Sequence, residues 1–127
     1  MSETPETTPA TPPGSVCHIE IPAPDMAKIT AFYAAAFGWE LVPMSPGYTL
    51  FITPGRASSG GFDASRAVAE GGTVLVIAVD EVTAALGRIR AAGGTPVTEK
   101  MDIGGGHGFC AYFRDPCGNA MGVWSKG

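Results

Sequence analysis

The sequence predicts an α+β fold in which two βαβββ modules form a cupped, half-open, barrel-like mixed sheet. Two observations support this fold class. A β-rich run, a helical stripe and three short β-rich runs follow one another, and the same order then occurs a second time. A shift of 56 residues superposes the two halves and places Asp25 on Glu81 and Gly38 on Gly94. Few aligned residues are identical, so the repeat is one of pattern, and a shift of 55 residues, which places Asp25 on Asp80, stays open.

The chain has room for a single folded domain, since it contains 127 residues of which 45% are apolar and 16% charged. Residues 1–14 are rich in Pro, Thr and Glu and have no large apolar side chain after Met1, so we expect a disordered N-terminal tail. The predicted folded domain then covers residues 15–127. It divides into a first module (15–63), a connector (64–72) and a second module (73–127).

Charge and hydropathy exclude two classes of partner. The net charge is −4 and the eight Lys and Arg residues are scattered singly, which argues against nucleic acid and against a polybasic membrane patch. The chain shows no signal-peptide pattern and no apolar run of about 18 residues, so we expect a cytoplasmic protein. Three cysteines without a CxxC pair indicate reduced thiols, and the first of them, Cys17, is interpreted as a small buried strand residue.

The first module begins with a predicted strand at 16–21, in which Ile19 and Ile21 share one face while His18 and Glu20 share the other. Asp25 stands where a helix N-cap is expected, and Gly38 closes the helix. Between them apolar residues recur at helical spacing: Met26, Ile29, Phe32, Tyr33, Ala36 and Phe37. Three further strands are predicted at 39–42, 48–53 and 57–63, separated by Pro and Gly turns.

The second module repeats these elements. A strand at 73–79 precedes a helix opened by Asp80 and Glu81 and ended by Gly93 and Gly94. Its buried stripe is Val82, Ala85, Leu86 and Ile89. Strands at 95–101, 108–114 and 120–124 complete the module, and residues 115–119 form the last hairpin turn.

The ordered set of motifs resembles a known family. Residues 18–41, HIEIPAPDMAKITAFYAAAFGWEL, combine a His-containing strand, an Asp-capped helix and a Phe-Gly-Trp end, as in glyoxalase-like proteins. The second half adds segments 79–82 and 89–94 and the ending 108–124. Over about residues 16–125 the chain therefore resembles the glyoxalase / bleomycin-resistance / dioxygenase (vicinal oxygen chelate) superfamily, in its single-domain glyoxalase-related form.

That resemblance implies a site on the first and last strands of each module. Metal enzymes of the superfamily hold a divalent ion there with four His or Glu side chains, whereas bleomycin-binding members have no metal. His18 matches the first ligand position, but Val74, Gly61 and Gly122 stand at the other three. Glycine and valine side chains do not coordinate metal ions, so no metal ligand set is predicted, and a divalent metal cofactor stays an alternative.

We therefore expect a small molecule to bind in the cup between the modules, without the usual four-ligand metal site. The candidate catalytic residues are His18 and Glu20, although either is also consistent with a polar side chain that has no catalytic task. The candidate ligand-binding residues are Trp39, Gly61, Phe62, His107, Phe109 and Gly122. For the aromatic residues core packing is the ordinary alternative, and for His107 a plain hairpin loop.

Two other functions stay open. One is a lactoylglutathione-lyase-like enzyme, or another lyase or isomerase, that uses His18 with or without a divalent metal. The other is a non-catalytic protein that sequesters a drug or metabolite. A homodimer is expected in each case, because each module would otherwise expose a strand edge.

Overall fold

A computed structural model of the chain describes residues 13, 16–69 and 71–127. The predicted tail, residues 1–14, lies outside the described residues except for Pro13. The first module contains β1 (Ile19–Pro22), α1 (Met26–Phe37), β2 (Glu40–Ser45), β3 (Tyr48–Ile52) and β4 (Ser59–Asp63). The second contains β5 (Leu75–Ala78), α2 (Val82–Ala91), β6 (Thr95–Pro96), β7 (Met101–Asp102), β8 (Phe109–Arg114) and β9 (Ala120–Ser125).

Each module forms its own mixed sheet. The first has the strand order β1-β4-β3-β2, in which β1 and β4 run parallel and the other pairs are antiparallel. The second has the order β5-β9-β8-β6, with β7 also paired to β8, and its parallel pair is β5 and β9. Neither sheet closes into a barrel. The predicted α+β fold of two matching modules is confirmed.

The helix boundaries agree with the capping residues. The Asp25 carboxylate accepts a hydrogen bond of 3.1 Å from the Lys28 N–H, and α1 ends at Gly38 in the left-handed conformation (φ 71°). The Glu81 carboxylate accepts the N–H groups of Thr83 and Ala84 at 2.8 and 2.9 Å, so Glu81 is the N-cap of α2. The N-caps are therefore related by the shift of 56 residues.

Two strand predictions need correction. Strand β1 begins at Ile19, not at residue 16, and the segment before it does not pair with β4, so Cys17 is exposed instead of buried. The predicted strand 95–101 is split into β6 and β7. The N–H groups of Val97 and Thr98 both donate to the Tyr112 carbonyl, which is the geometry of a bulge, and regular pairing is interrupted there.

The helix-facing sides of both sheets share one hydrophobic core. In α1, Phe32 and Phe37 pack against Phe113 of β8, with ring centroids 6.1 and 6.0 Å apart, so the core crosses from one module to the other. The opposite sheet faces bear exposed residues, such as Glu20 on the first and Val76 on the second. Within the described part of the chain, no helix is both long and apolar enough to cross a membrane.

Candidate functional site

His18 and Glu20 lie together on the open face of the first sheet. Strand alternation turns Ile19 and Ile21 toward the core and leaves the two polar side chains on the other side. Tyr48, at the start of β3, joins them: its Oη lies 2.8 Å from His18 Nε2 and donates a 3.1 Å hydrogen bond to Glu20 Oε2. His18 Nε2 and Glu20 Oε2 are themselves 4.0 Å apart.

This arrangement assigns the protons. A phenol has one proton, and Tyr48 donates it to Glu20, so Tyr48 Oη acts toward His18 as an acceptor. The His18 Nε2 is then protonated, and in a neutral imidazole its Nδ1 is left as the acceptor. Partial burial, and next the hydrogen bond to Glu20, raise the pKa of Tyr48, which keeps its proton in place.

Arg66 compensates the charge of Glu20. Its Nε donates to Glu20 Oε1 at 2.8 Å and lies 3.8 Å from Asp63 Oδ2. The hydrogen bond to Glu20 raises the pKa of Arg66, and the Ser65 hydroxyl and N–H lower that of Asp63. The open face therefore carries one connected polar group, the His18–Tyr48–Glu20–Arg66 chain.

Three cavities adjoin this chain of polar side chains, and the smallest, of about 260 Å³, is lined by His18 and Arg56 among others. The one that we call the His18 cavity has a volume of about 410 Å³ and belongs to the first module. Its lining residues are His18, Leu50, Phe51, Ile52, Arg56, Ser58, Ser59 and Gly60. The third, the intermodule cavity, has a volume of about 320 Å³ and is lined by Glu20 of the first module, Arg66 of the connector, and Leu75 and Asn119 of the second module, among others.

Gly61 and Gly122, both predicted ligand-site residues, lie beneath tyrosine rings. A Cβ at residue 61 would overlap the Tyr48 hydroxyl, and one at residue 122 would lie 3.2 Å from two ring carbons of Tyr112. Each glycine thus makes room for an aromatic side chain from the neighbouring strand. Neither tyrosine is among the site residues predicted from the sequence. The signal for them is a glycine inside a strand paired with a strand that contains Tyr, a combination known to let the ring fold over the gap.

The remaining predicted ligand-binding residues lie apart from His18. Trp39 and Phe62 belong to the core, where they are 6% and 0% exposed. Phe109 is partly buried beneath Lys100, whose Nζ lies 4.6 Å from the ring centroid. His107 is exposed in the glycine-rich turn of the second module, and its carbonyl accepts a 2.8 Å hydrogen bond from Trp124 Nε1. The structure brings only His18, Glu20 and Gly61 together.

The residues present do not fit a four-ligand metal site. Tyrosine rings cover two of the implied ligand positions, Gly61 and Gly122, and Val74 at the third is an exposed apolar side chain. Among residues 16–69 and 71–127, no three His, Cys, Asp or Glu side chains are grouped so that they could hold a metal ion. His18 and Glu20 alone provide two donors, fewer than the three or four protein ligands of typical zinc sites.

Comparison with known proteins identifies the family. A family model described as Glyoxalase/Bleomycin resistance protein/Dioxygenase superfamily matches residues 15–123. The chain belongs to this superfamily. The resemblance read from the sequence is therefore confirmed, and the two βαβββ modules are the fold of a glyoxalase-superfamily protein.

Several proteins of known sequence are similar to the chain. The anthracycline biosynthesis protein DnrV of Streptomyces peucetius is 29% identical over an alignment of 133 positions, which covers 91% of this chain and 48% of that protein. The chain thus spans about half the length of this relative. A glyoxylase-like domain-containing protein of Didymella fabae is 25% identical, with 89% and 94% of the two chains covered.

Solved structures agree in fold. The fosfomycin resistance protein FosX of Listeria monocytogenes, in complex with Mn(II) and dihydroxypropylphosphonic acid, has a TM-score of 0.74 at 21% identity, over 88% of this chain and 90% of that one. A glyoxalase/bleomycin resistance protein/dioxygenase family enzyme of Burkholderia phytofirmans has a TM-score of 0.72 at 22% identity, over 85% and 95%. At these identities the likeness shows the glyoxalase fold alone.

Proposed function

We propose that this glyoxalase-superfamily protein binds a small organic molecule in the His18 cavity, and that its site lacks the four-ligand metal centre. The observation that supports the proposal is Tyr48 Oη, placed between His18 Nε2 and Glu20 Oε2 at 2.8 and 3.1 Å. Tyr48 holds the His18 imidazole at the His18 cavity, and Nδ1 is the hydrogen-bond acceptor of that ring. The apolar side chains of Leu50 and Ile52 line the same cavity, which is the usual composition of a ligand pocket.

In this site each residue has a distinct role. His18 Nδ1 accepts a hydrogen bond or a proton from the ligand, and Tyr48 fixes the ring through Nε2. Glu20 accepts the Tyr48 proton and is neutralised by Arg66. Phe62 is fully buried in the core, whereas Trp39 also lines a cavity of about 300 Å³ that Leu75 and Ile77 of the second module share. The intermodule cavity is the alternative position for the ligand, and of the candidate site residues only Glu20 lines it.

The first test is a binding screen with variants. A thermal-shift panel of 2-oxoaldehydes, thiol conjugates, antibiotics and aromatic metabolites is screened first, and hits are measured by calorimetry. Because two anthracycline biosynthesis proteins are similar to the chain, the panel includes an aromatic polyketide. We expect His18→Ala and Tyr48→Phe to lower the affinity for a hit by about tenfold. The matched control, His107→Ala, should leave that affinity unchanged. A hit that is lost with Thr73→Trp, which fills the intermodule cavity from an exposed position, and retained with His18→Ala would assign the intermodule cavity instead.

A second measurement distinguishes binding from turnover. The hit is incubated with the protein, with and without chelator, and recovered for mass analysis. If the compound is recovered unchanged, the result supports sequestration. If it is converted, and the conversion disappears in His18→Ala, the result supports a lyase or isomerase that uses this residue. Stoichiometric Zn, Ni, Mn or Fe in protein purified without chelator, lost with His18→Ala, would overturn the proposed absence of a metal centre.

We also propose a cytoplasmic homodimer. The open face of the second sheet bears three exposed apolar side chains, Val76, Tyr112 and Met101, with exposed fractions of 54%, 40% and 38%. Such a group of apolar side chains typically marks an interface, and a second copy is the proposed partner. Light scattering tests it: we expect twice the 13.0 kDa chain mass, and Val76→Lys to give the monomer. A wild-type protein that scatters only as a 13.0 kDa species would contradict the dimer.

A further inference from the structure

Arg56 has an unusual backbone conformation beside His18. It follows Pro54 and Gly55 in the turn between β3 and β4, and its φ of 57° lies in the left-handed region. Among the described residues it is the only one other than glycine with positive φ. A side chain with a Cβ adopts this conformation at a cost in free energy, and such residues concentrate at functional sites.

The turn holds Arg56 in this conformation through several hydrogen bonds. Thr53 and Ser58 close its base: the Thr53 N–H donates to the Ser58 carbonyl at 3.0 Å, and the Ser58 N–H donates to Thr53 Oγ1 at 2.9 Å. The Arg56 N–H in turn donates to the Thr53 carbonyl at 2.9 Å. The surrounding hydrogen bonds therefore offset the unfavourable conformation and fix where the guanidinium side chain leaves the backbone.

The Arg56 side chain lines cavities at the site and has no carboxylate partner among the described residues. Arg56 lines the His18 cavity together with Ser58 and Ser59, and a neighbouring cavity of about 260 Å³ is also lined by Arg56 and His18. The other arginine near the site differs, because Arg66 is already paired with Glu20 at 2.8 Å. Within the part of the chain that the structure describes, no Asp or Glu oxygen lies within 4.0 Å of the Arg56 guanidinium nitrogens.

From this placement we infer that the His18 cavity selects small organic anions, with an oxyanion held by Arg56 and the Ser59 hydroxyl and an apolar body against Leu50 and Ile52. The inference rests on the proposed ligand site and adds its substrate class. A planar guanidinium donates two parallel hydrogen bonds to a carboxylate, and the Ser59 hydroxyl donates to the same oxygens. The His18 ring, which lines the same cavity, binds a second polar group of the ligand.

The experiment compares three probes with six carbon atoms each: hexanoate, the neutral hexanamide, and hexylphosphonate. Binding is followed by NMR titration of the His18 ring signals and the Arg56 Nε–H signal at low ionic strength, where charge pairing is least screened. We expect hexanoate to bind about tenfold more tightly than hexanamide. Hexylphosphonate distinguishes a general oxyanion site from a carboxylate site, since only the first binds both anions.

Variants of two arginines identify the group responsible. Arg56→Gln should abolish the preference for hexanoate over hexanamide, and Arg56→Lys should retain only part of it because an ammonium lacks the planar fork. Arg90→Gln removes the same charge from the exposed end of α2 and should leave the preference intact. Arg56→Gly relieves the left-handed backbone, so it should lose the preference with an unchanged or raised melting temperature, which separates binding from folding.

The outcomes separate this inference from the proposed function. If hexanamide shifts the His18 signals as strongly as hexanoate, the cavity takes ligands and the anion preference is wrong. If the preference persists in Arg56→Gln, another cation is responsible and the assignment to Arg56 is wrong. If none of the probes shifts the His18 signals, the anion site is wrong, and the ligand site of the proposed function still stands or falls with the thermal-shift panel.

Discussion

The Tyr33 hydroxyl donates a 2.9 Å hydrogen bond to Asp115 Oδ2, which ties the helix of the first module to the last hairpin turn of the second. Asp115 is 4% exposed, and its other oxygen accepts the N–H groups of Cys117 and Asn119. The Asn119 amide continues the connection by donating to the Pro22 carbonyl at 2.8 Å. These buried bonds fix the modules relative to each other, and with them the intermodule cavity.

We predict that Tyr33→Phe destabilises the fold by about 1–3 kcal/mol, because it leaves a buried carboxylate oxygen with one donor fewer. Urea unfolding at neutral pH measures the change. Tyr112→Phe is the control, since that ring is 40% exposed on the open face of the second sheet. If Tyr33→Phe lowers the free energy of unfolding no more than Tyr112→Phe does, the hydrogen bond between Tyr33 and Asp115 does not stabilise the contact between the modules.

Alkaline pH should act through the same tyrosine. Burial, and next the charge of Asp115, raise the pKa of Tyr33 well above its ordinary value of 10.0. As the pH rises, the tyrosine of the unfolded chain therefore loses its proton before Tyr33 of the folded protein does. The contribution of Tyr33 to the free energy of unfolding is complete below pH 10.0 and falls as the pH rises above it. The stability advantage of the wild type over Tyr33→Phe should therefore narrow above that pH in chemical denaturation curves. An advantage that stays constant would contradict this linkage.

Acid pH should act through Glu81. The Thr83 N–H, the Lys100 ammonium and the Ala84 N–H lower the pKa of Glu81 from its ordinary 4.5 to about 2. Its contribution to stability is thus complete above pH 4.5 and is lost as the pH falls toward 2. We predict that Glu81→Gln is less stable than the wild type at neutral pH and that the difference closes over this range. Glu40→Gln, an exposed carboxylate on β2, controls for the loss of one charge.

Gly61 should tolerate no larger side chain while Tyr48 is present. Because the new Cβ overlaps the phenol, Gly61→Ala should destabilise the protein by about 1–3 kcal/mol and displace the ring from Glu20 and His18. In a Tyr48→Ala background the same substitution should cost roughly 0.5 kcal/mol or less. Gly87→Ala on α2, where the Cβ meets open space, should instead stabilise by about 0.5–1 kcal/mol. Equal losses in both backgrounds would refute the steric explanation.

How much of the site the sequence could predict depends on the range of the contacts. His18 and Glu20 were assigned to one face because alternation along a strand is a local property. The contacts of Tyr48 and Arg66 with Glu20 were not predicted, since they span 28 and 46 residues of chain and nothing local indicates which segments become neighbours. For the same reason the sequence did not show that Trp39 and Phe62 pack in the core.

The sequence alone determined the two βαβββ modules, both helix N-termini and the absence of metal-binding side chains at three of the four expected ligand positions, because periodicity, capping and residue identity are written locally. The tertiary structure decided what takes the place of those ligands. Only when β3 pairs with β4 does Tyr48 cover Gly61 and reach His18 and Glu20. That position depends on strand register and on the volume left by a missing side chain, which are properties of the packed sheet.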